Sequence, residues 1–298
     1  MNWIILVLIA AFLWSVMAII QKFVRVSYFE NSLGYIIFLA PTALFILPLL
    51  FFQEFTLLDP IRSILGILTG ILLVLGYYCY IEAMHKEEVS RVIILNIGIS
   101  PIFVLILSIL FLNEILTLKQ YIAFALILAG SILISFKRFE ENLRLTPGAL
   151  LALLAGFFFA VQAILLKYLS SINLATIMVY REAGYILSIL LVFALSPKAR
   201  KFTKKVIKDM SLKKTAIVYG AECIGIGGMF LYYLAVQRGP VSLVSVVEGS
   251  ETIFIFILTI IMSIFLPKIL KEEINKKTIT IKIISIILTI VGLYLIST

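Results

Sequence analysis

Residues 246–256 read Val-Val-Glu-Gly-Ser-Glu-Thr-Ile-Phe-Ile-Phe, which sets two carboxylates, Glu248 and Glu251, inside an apolar run long enough to cross a bilayer. An ionised carboxylate in hydrocarbon costs at least about 2.5 to 3.5 kcal/mol, so such acids persist mainly where they face a cavity, a partner or a substrate. The i, i+3 spacing puts both on one face of a helix. The pair therefore indicates either a functional site or a structural ion pair with a nearby cation.

The composition of the whole chain is that of an integral membrane protein. Of 298 residues, 62% are hydrophobic and 14% are charged, against roughly 45 to 50% and about 25% in soluble domains. The formal net charge is +9, but the basic residues lie between apolar runs, which indicates orientation in the bilayer rather than nucleic-acid binding. The two cysteines, Cys79 and Cys223, lack metal-ligand spacing and any disulfide framework. We predict neither a metal site nor another cofactor.

Ten stretches are long and apolar enough to span the roughly 30 Å of hydrocarbon as helices of about 20 residues. They cover residues 3–24, 33–52, 61–84, 89–112, 116–136, 147–169, 174–195, 215–236, 241–266 and 280–296. The longest connections, 137–146 and 196–214, are polar and basic and show no pattern of a soluble domain. The sequence therefore predicts an all-α integral membrane protein with ten transmembrane helices.

An internal repeat relates the first predicted helix to the sixth. Residues 12–24 match residues 157–169 with identical Phe, Val, Ala, Ile and Lys, and the aligned Lys22 and Lys167 are hard to obtain from apolar composition alone. Further along, Val89-Ser90 corresponds to Val241-Ser242, and Gly130 corresponds to Gly292. The chain thus contains two similar halves.

These halves set the predicted domain organisation. We assign residues 1–138 to a first five-helix repeat, 139–146 to a linker and 147–298 to a second five-helix repeat. Because five is an odd number, the second repeat enters the membrane from the opposite side, so the repeats are inverted. Inverted repeats are typical of secondary transporters.

Several motifs together resemble a known family. Trp14-Ser15 precedes Lys22, and Ser100-Pro101-Ile102-Phe103 leads to Leu112-Asn113-Glu114, which resembles the Ser-Pro to Leu-Gly-Glu stretch of the EamA-like branch of the drug/metabolite transporter superfamily. Glu251-Thr252 stands where that family often has Glu-Pro. The departures are a missing arginine in helix two, a missing proline in helix nine, and an uncertain second match to the motif glutamate at Glu272 or Glu273.

Depth counting at about 1.5 Å per residue places the polar groups. Glu251 lies near the midplane, the other candidates lie roughly 10 to 16 Å from the start of their helices, and a central site at the repeat interface is expected. The predicted substrate-binding or coupling residues are Glu251, Glu222, Glu248, Asn96, Trp14 and Arg181. Arg181 and Glu248 share a depth, and we predict that they pair, whereas no partner is predicted for Glu182.

Tyrosines gather at matching ends of the third and eighth helices. We predict that they are interfacial anchors. They are Tyr77, Tyr78, Tyr80, Tyr232 and Tyr233.

The resemblance implies a secondary transporter that exports small polar or amphiphilic metabolites, such as amino acids, by alternating access. The excess of acids within helices favours a cationic or zwitterionic solute, or exchange against protons. A non-transporting receptor or assembly protein stays an alternative, while a lipid-modifying enzyme is less favoured because the single histidine, His85, lies in a short charged loop. We expect no enzymatic activity. Substrate, direction, coupling ion and oligomeric state are left open.

Loop charges predict the orientation in the cell membrane. Counted together with Lys22, Arg91 and Lys282 at the flanking helix ends, the odd-numbered connections carry 20 of the 25 Lys and Arg, including eight in residues 198–214. The positive-inside rule then puts these connections in the cytoplasm and both termini outside. The family resemblance favours the opposite orientation.

Overall fold

A computed structural model describes residues 2–28, 32–51, 53–87, 89–135, 146–265 and 276–298. One 3₁₀ helix, Ala40–Phe51, follows the second of the twelve α-helices in these ranges. The α-helices are α1 Trp3–Tyr28, α2 Ser32–Phe38, α3 Pro60–Lys86, α4 Val89–Leu112, α5 Leu118–Ser135, α6 Pro147–Tyr168, α7 Leu174–Leu195, α8 Pro197–Asp209, α9 Leu212–Arg238, α10 Val241–Glu248, α11 Glu251–Phe265 and α12 Lys276–Ser297. Most of the predicted linker, and both Glu272 and Glu273, lie outside the described residues.

The described ranges contain nine apolar spans long enough to cross a membrane rather than the predicted ten. The exception is the second predicted helix, which is α2 followed by the 3₁₀ helix. Pro41 and Pro48 lie in this segment and lack the amide hydrogens that an α-helical ladder requires, which accounts for the irregular structure. The other nine predicted spans are confirmed as apolar helical stretches.

The basic connection 196–214 contains a helix that sequence analysis did not predict. In α8, Ala199 and Thr203 are buried, while Lys201 and Lys204 are exposed. Phe202 of the same helix packs over Gly34 of α2. The connection is therefore an amphipathic helix docked on the bundle.

Two helix crossings, each between one helix of the first half and one of the second, contain the same kind of contact. In the first crossing, α1 packs on α9, and a Cβ added to Gly228 would lie 2.9 Å from Nε1 of Trp14. In the second, α3 packs on α6, and a Cβ added to Gly76 would lie 2.5 Å from Cε1 of Phe159. Trp14 and Phe159 occupy equivalent positions in the repeat, and the offset between Gly76 and Gly228 is the one that relates Ser90 to Ser242. The fold is thus built from two repeats.

Small residues also permit the close approach of α5 and α12. A Cβ added to Gly130 of α5 would lie 2.7 Å from the carbonyl oxygen of Ser285, and one added to Gly292 of α12 would lie 2.9 Å from that of Ala123. Glycines at membrane-helix interfaces let backbones meet in this way. The two glycines aligned by the repeat therefore serve one reciprocal interface.

A carboxylate from the first half caps α10 in the second half. Pro240 precedes α10 and supplies no side-chain cap, but the amides of Val241 and Ser242 donate to the Glu114 carboxylate at 2.9 and 3.2 Å. Asn113 has φ 51°, a left-handed conformation that glycine and asparagine adopt most readily. The Leu-Asn-Glu motif thus combines a sharp turn with an interhelical N-cap.

Candidate functional site

The ninth apolar span is broken between the two glutamates from which the sequence analysis began. Helix α10 ends at Glu248 and α11 begins at Glu251. Across Gly249 and Ser250 the hydrogen bonds run from residue i to i−3: Gly249 N donates to Val246 O at 3.1 Å and Ser250 N donates to Val247 O at 3.0 Å. Such irregular backbone inside a membrane protein is tolerated where it is covered by protein or lines a cavity.

Close packing holds the break in place without a proline. A Cβ added to Gly249 would lie 2.8 Å from Oγ of Ser131 on α5, so only glycine fits this approach without a shift. The Thr252 hydroxyl donates to the Gly249 carbonyl at 2.8 Å and satisfies an acceptor that the interrupted helix leaves. By contrast, α4 continues through its internal Pro101. The discontinuity is therefore specific to the segment that carries the acids.

Three predicted acids and the predicted arginine converge on Tyr77 of α3. Its hydroxyl lies within electrostatic range of Glu222, Arg181, Glu251 and Glu248, which come from α9, α7, α11 and α10. The Tyr77 side chain is 42% exposed. The three glutamates are each half-buried. We call Tyr77, Glu222, Glu248 and Glu251 the central acidic cluster.

Two aromatic pairs flank the central acidic cluster. Tyr77 contacts Phe159 edge-on at a centroid distance of 5.5 Å. On the other side, Trp14 contacts Tyr232 at 5.4 Å, and the Tyr232 phenol lies beside the Glu248 carboxylate. The indole Nε1 of Trp14 donates to Gly225 O at 3.0 Å, which fixes the orientation of the ring. Both pairs come from the crossings that the repeat relates.

The predicted pair between Arg181 and Glu248 is wrong. Arg181 forms its ion pair with the adjacent Glu182, and both residues are buried, at 7% and 8% exposure. Side chains at neighbouring helix positions point about 100° apart, but the long arginine side chain bends back to reach the next carboxylate. Glu248 instead has Tyr232 and Glu251 as neighbours.

Asn96 lies in α4 and is half-buried. Among the described residues, the buried Nδ2 of Asn96 has no hydrogen-bond partner, and the same is true of the hydroxyls of Ser131 and Ser250. Gly98, two residues further along α4 and therefore on a different face of the helix, packs against Ile132 of α5.

Sequence analysis included Trp14 among the site residues but did not include Tyr77, Phe159 or Tyr232. Tyr77 and Tyr232 were predicted to be interfacial anchors because they lie near the ends of their apolar runs. The repeat could have indicated that these tyrosines belong to the site, because Trp14 and Phe159 occupy equivalent positions in it. Each of the two rings packs over a glycine, and the helix that carries this glycine also carries the tyrosine that the ring contacts. In the part of the chain that the structure describes, no group of three or more His, Cys, Asp or Glu side chains is placed to hold a metal ion.

Comparisons with known proteins agree with this architecture. The model of the EamA-like transporter family matches residues 1–136 and 146–298. An uncharacterized protein of Methanocaldococcus jannaschii, MJ1333.1, is 41% identical over 70 residues, which cover 24% of this chain and 50% of that protein. A protein of known crystal structure superimposes with a TM-score of 0.71 at 14% identity, over 98% of this chain and 95% of that chain, which is a likeness of fold.

Proposed function

Because the chain belongs to the EamA-like transporter family, we propose that it is a secondary transporter that exports small polar or amphiphilic metabolites by alternating access around the central acidic cluster. Membership makes it a membrane transporter of small molecules, and the choice of site and direction is our proposal. The observation that carries it is the break between Glu248 and Glu251. Discontinuous helices commonly form the substrate and coupling-ion sites of secondary transporters.

The break gives the two acids different electrostatic surroundings. Glu251 lies in the first turn of α11, where the positive end of the helix dipole stabilises a carboxylate. Glu248 is the last residue of α10, where the negative end of the helix dipole disfavours a carboxylate. We propose that Glu251 is the main binding or coupling carboxylate, that Glu222 faces it, and that Glu248 and the ring of Trp14 complete the site. Arg181 then supports the site from its pair with Glu182.

Protons are the proposed coupling ion. A carboxylate surrounded by other acids and apolar side chains binds a proton closer to neutral pH than an exposed one does. Exchange of a proton for the solute at Glu251 would couple proton transport to solute transport. We also propose that the 198–214 connection is cytoplasmic, that both termini lie outside the plasma membrane and that the chain has no enzymatic activity.

The test measures solute flux in proteoliposomes with an imposed pH gradient, using a panel of radiolabelled amino acids and amines. Glu251→Gln keeps the size and polarity of the side chain but removes its charge, so we expect folded protein with no net flux. Glu54→Gln is the matched control, because Glu54 is exposed and lies in the segment before α3.

Two outcomes would contradict the proposal at different levels. A Glu251→Gln variant with normal flux and an unchanged pH profile would remove Glu251 from the mechanism, and the site would then be sought around Trp14 and Glu222. Wild-type protein that moves no solute of the panel while binding one of them would favour a receptor.

A further inference from the structure

We infer that α8 carries a surface that binds the headgroups of anionic phospholipids. This surface, the α8 basic face, consists of Lys201, Lys204 and Lys208. It belongs to the connection between α7 and α9 and lies outside the central acidic cluster, so the inference does not depend on the proposed function.

The place of α8 in the chain puts it at the level of the phospholipid headgroups. Ser196 alone separates it from α7, and Met210 and Ser211 separate it from α9. Both neighbouring helices are apolar spans, and their adjoining residues Leu195 and Leu212 are 79% and 87% exposed. Exposed leucines at the ends of membrane spans lie against acyl chains, so the helix between them lies where the hydrocarbon ends.

Packing against the bundle fixes which face of α8 is turned outward. A Cβ added to Gly34 of α2 would lie 3.4 Å from Cβ of Phe202 and 3.6 Å from Cγ2 of Val206. Ala199 and Thr203 are buried on the same side of α8. At about 100° per residue, the three lysines of the α8 basic face fall on the opposite side, and all three are exposed. The docked helix therefore presents its charges together.

The protein supplies no counter-charge for this face in its described part. Among the described residues, no acidic side chain forms an ion pair with Lys201, Lys204 or Lys208. Residues 198–214 contain eight Lys and Arg but a single acid, Asp209. The three lysines are spaced by three and four residues, and like charges at these spacings destabilise a helix. An anionic partner outside the chain would relieve this repulsion.

Orientation in the membrane does not require this arrangement. The positive-inside rule counts Lys and Arg in a connection and is indifferent to the helix face that they occupy. Attraction to phospholipids depends on position, because it decays within a screening length of about 8 to 10 Å. Lysine side chains are long enough to reach phosphate groups from a helix at the interface. A basic face held at one depth thus fits an anionic headgroup surface.

The test measures lipid binding to the purified full-length protein by native mass spectrometry. Phosphatidylglycerol and phosphatidylcholine with identical acyl chains are titrated separately. We expect the apparent Kd of the first bound phosphatidylglycerol to be about fivefold lower, the factor that corresponds to about 1 kcal/mol for a basic residue near an anionic surface. Lys201→Gln/Lys204→Gln/Lys208→Gln should bring the two Kd values within about twofold of each other.

Two control variants separate local binding from net charge. Arg62→Gln/Lys119→Gln/Arg238→Gln removes the same charge from even-numbered connections and should keep the preference for phosphatidylglycerol. Replacing the three lysines of the α8 basic face by Arg keeps the charge and should also keep the preference. Thermal unfolding without added lipid should give the wild-type Tm for the glutamine variant of α8, because exposed side chains away from packing contacts contribute little to stability.

Four results would overturn the inference. They are equal binding of the two lipids by the wild-type protein, an unchanged preference in the glutamine variant of α8, an equal loss of preference in the charge-matched control, and displacement of phosphatidylglycerol by millimolar glycerol 3-phosphate. The last result would assign the face to a soluble phosphate instead. Solute flux does not enter these measurements, so each outcome leaves the proposed function to its own test.

Discussion

The buried pair of Arg181 and Glu182 gives the sharpest test of the structure. Both residues lie in α7, and their exposures are 7% and 8%. Replacing Arg181 by Gln leaves the Glu182 carboxylate buried without its cation, and removing one partner of a buried pair costs about 3 to 5 kcal/mol. At about 2 to 4 °C per kcal/mol for soluble domains of 150 to 250 residues, the apparent Tm should fall by roughly 6 to 20 °C.

The assay is thermal unfolding in detergent, followed by size-exclusion chromatography of the heated samples. The double variant Arg181→Gln/Glu182→Gln removes both charges and should recover most of the lost Tm. The matched control, Arg181→Gln/Glu248→Gln, should not recover it, because Glu248 lies beside Tyr232 instead. Recovery in the control but not in the first double variant would refute the reasoning and restore Glu248 as the partner.

Three further predictions concern the cap, the helix crossings and the orientation. Glu114→Ala should destabilise the protein by about 2 kcal/mol in the same assay, because α10 loses the carboxylate that accepts from its first amides; an unchanged Tm would show that the cap is dispensable. Gly70→Ala should cost about 1 to 3 kcal/mol because its Cβ would overlap the Arg181 carbonyl, whereas Gly220→Ala, with nothing within 4 Å, is the silent control. In a background without native cysteines, a cysteine at Lys204 should resist an impermeant maleimide added to intact cells, while one at Glu54 is labelled; the reverse pattern would invert the proposed topology.

Much of the fold could be predicted because membrane helices obey a simple length rule. A run of about 20 apolar residues predicts a span, and nine of the ten predictions meet this rule in the described ranges. The irregular structure at 33–52 has a local cause, since hydropathy counts the apolar side chains around Pro41 and Pro48 but ignores their missing amide hydrogens. The repeat was detectable because Lys22 and Lys167 break an otherwise apolar match.

The candidate site was harder to predict because it depends on tilt, side-chain reach and backbone irregularity. Depth counting treats each helix as perpendicular to the membrane, so Tyr77 was assigned to the interface although the charge of Glu251 acts on it. Gly249-Ser250 gives little warning of a break, since glycine is frequent in transmembrane helices. The six residues predicted for binding or coupling stay predictions. Four of them, Glu222, Glu248, Glu251 and Arg181, carry charges that act on Tyr77, and Trp14 contacts Tyr232 through its ring.

The two crossings that the repeat relates differ in one hydrogen bond. The indole of Trp14 donates to Gly225 O in the α1·α9 crossing, whereas Phe159, at the equivalent place in the α3·α6 crossing, has no donor to offer. In a perfectly symmetric inverted repeat, the inward-open and outward-open states would be equally populated at rest. One hydrogen bond contributes about 1 kcal/mol, so a bond kept in only one of the two states shifts that ratio roughly fivefold. If the Trp14 hydrogen bond persists in only one state of the proposed transport cycle, it makes that state the more populated one at rest.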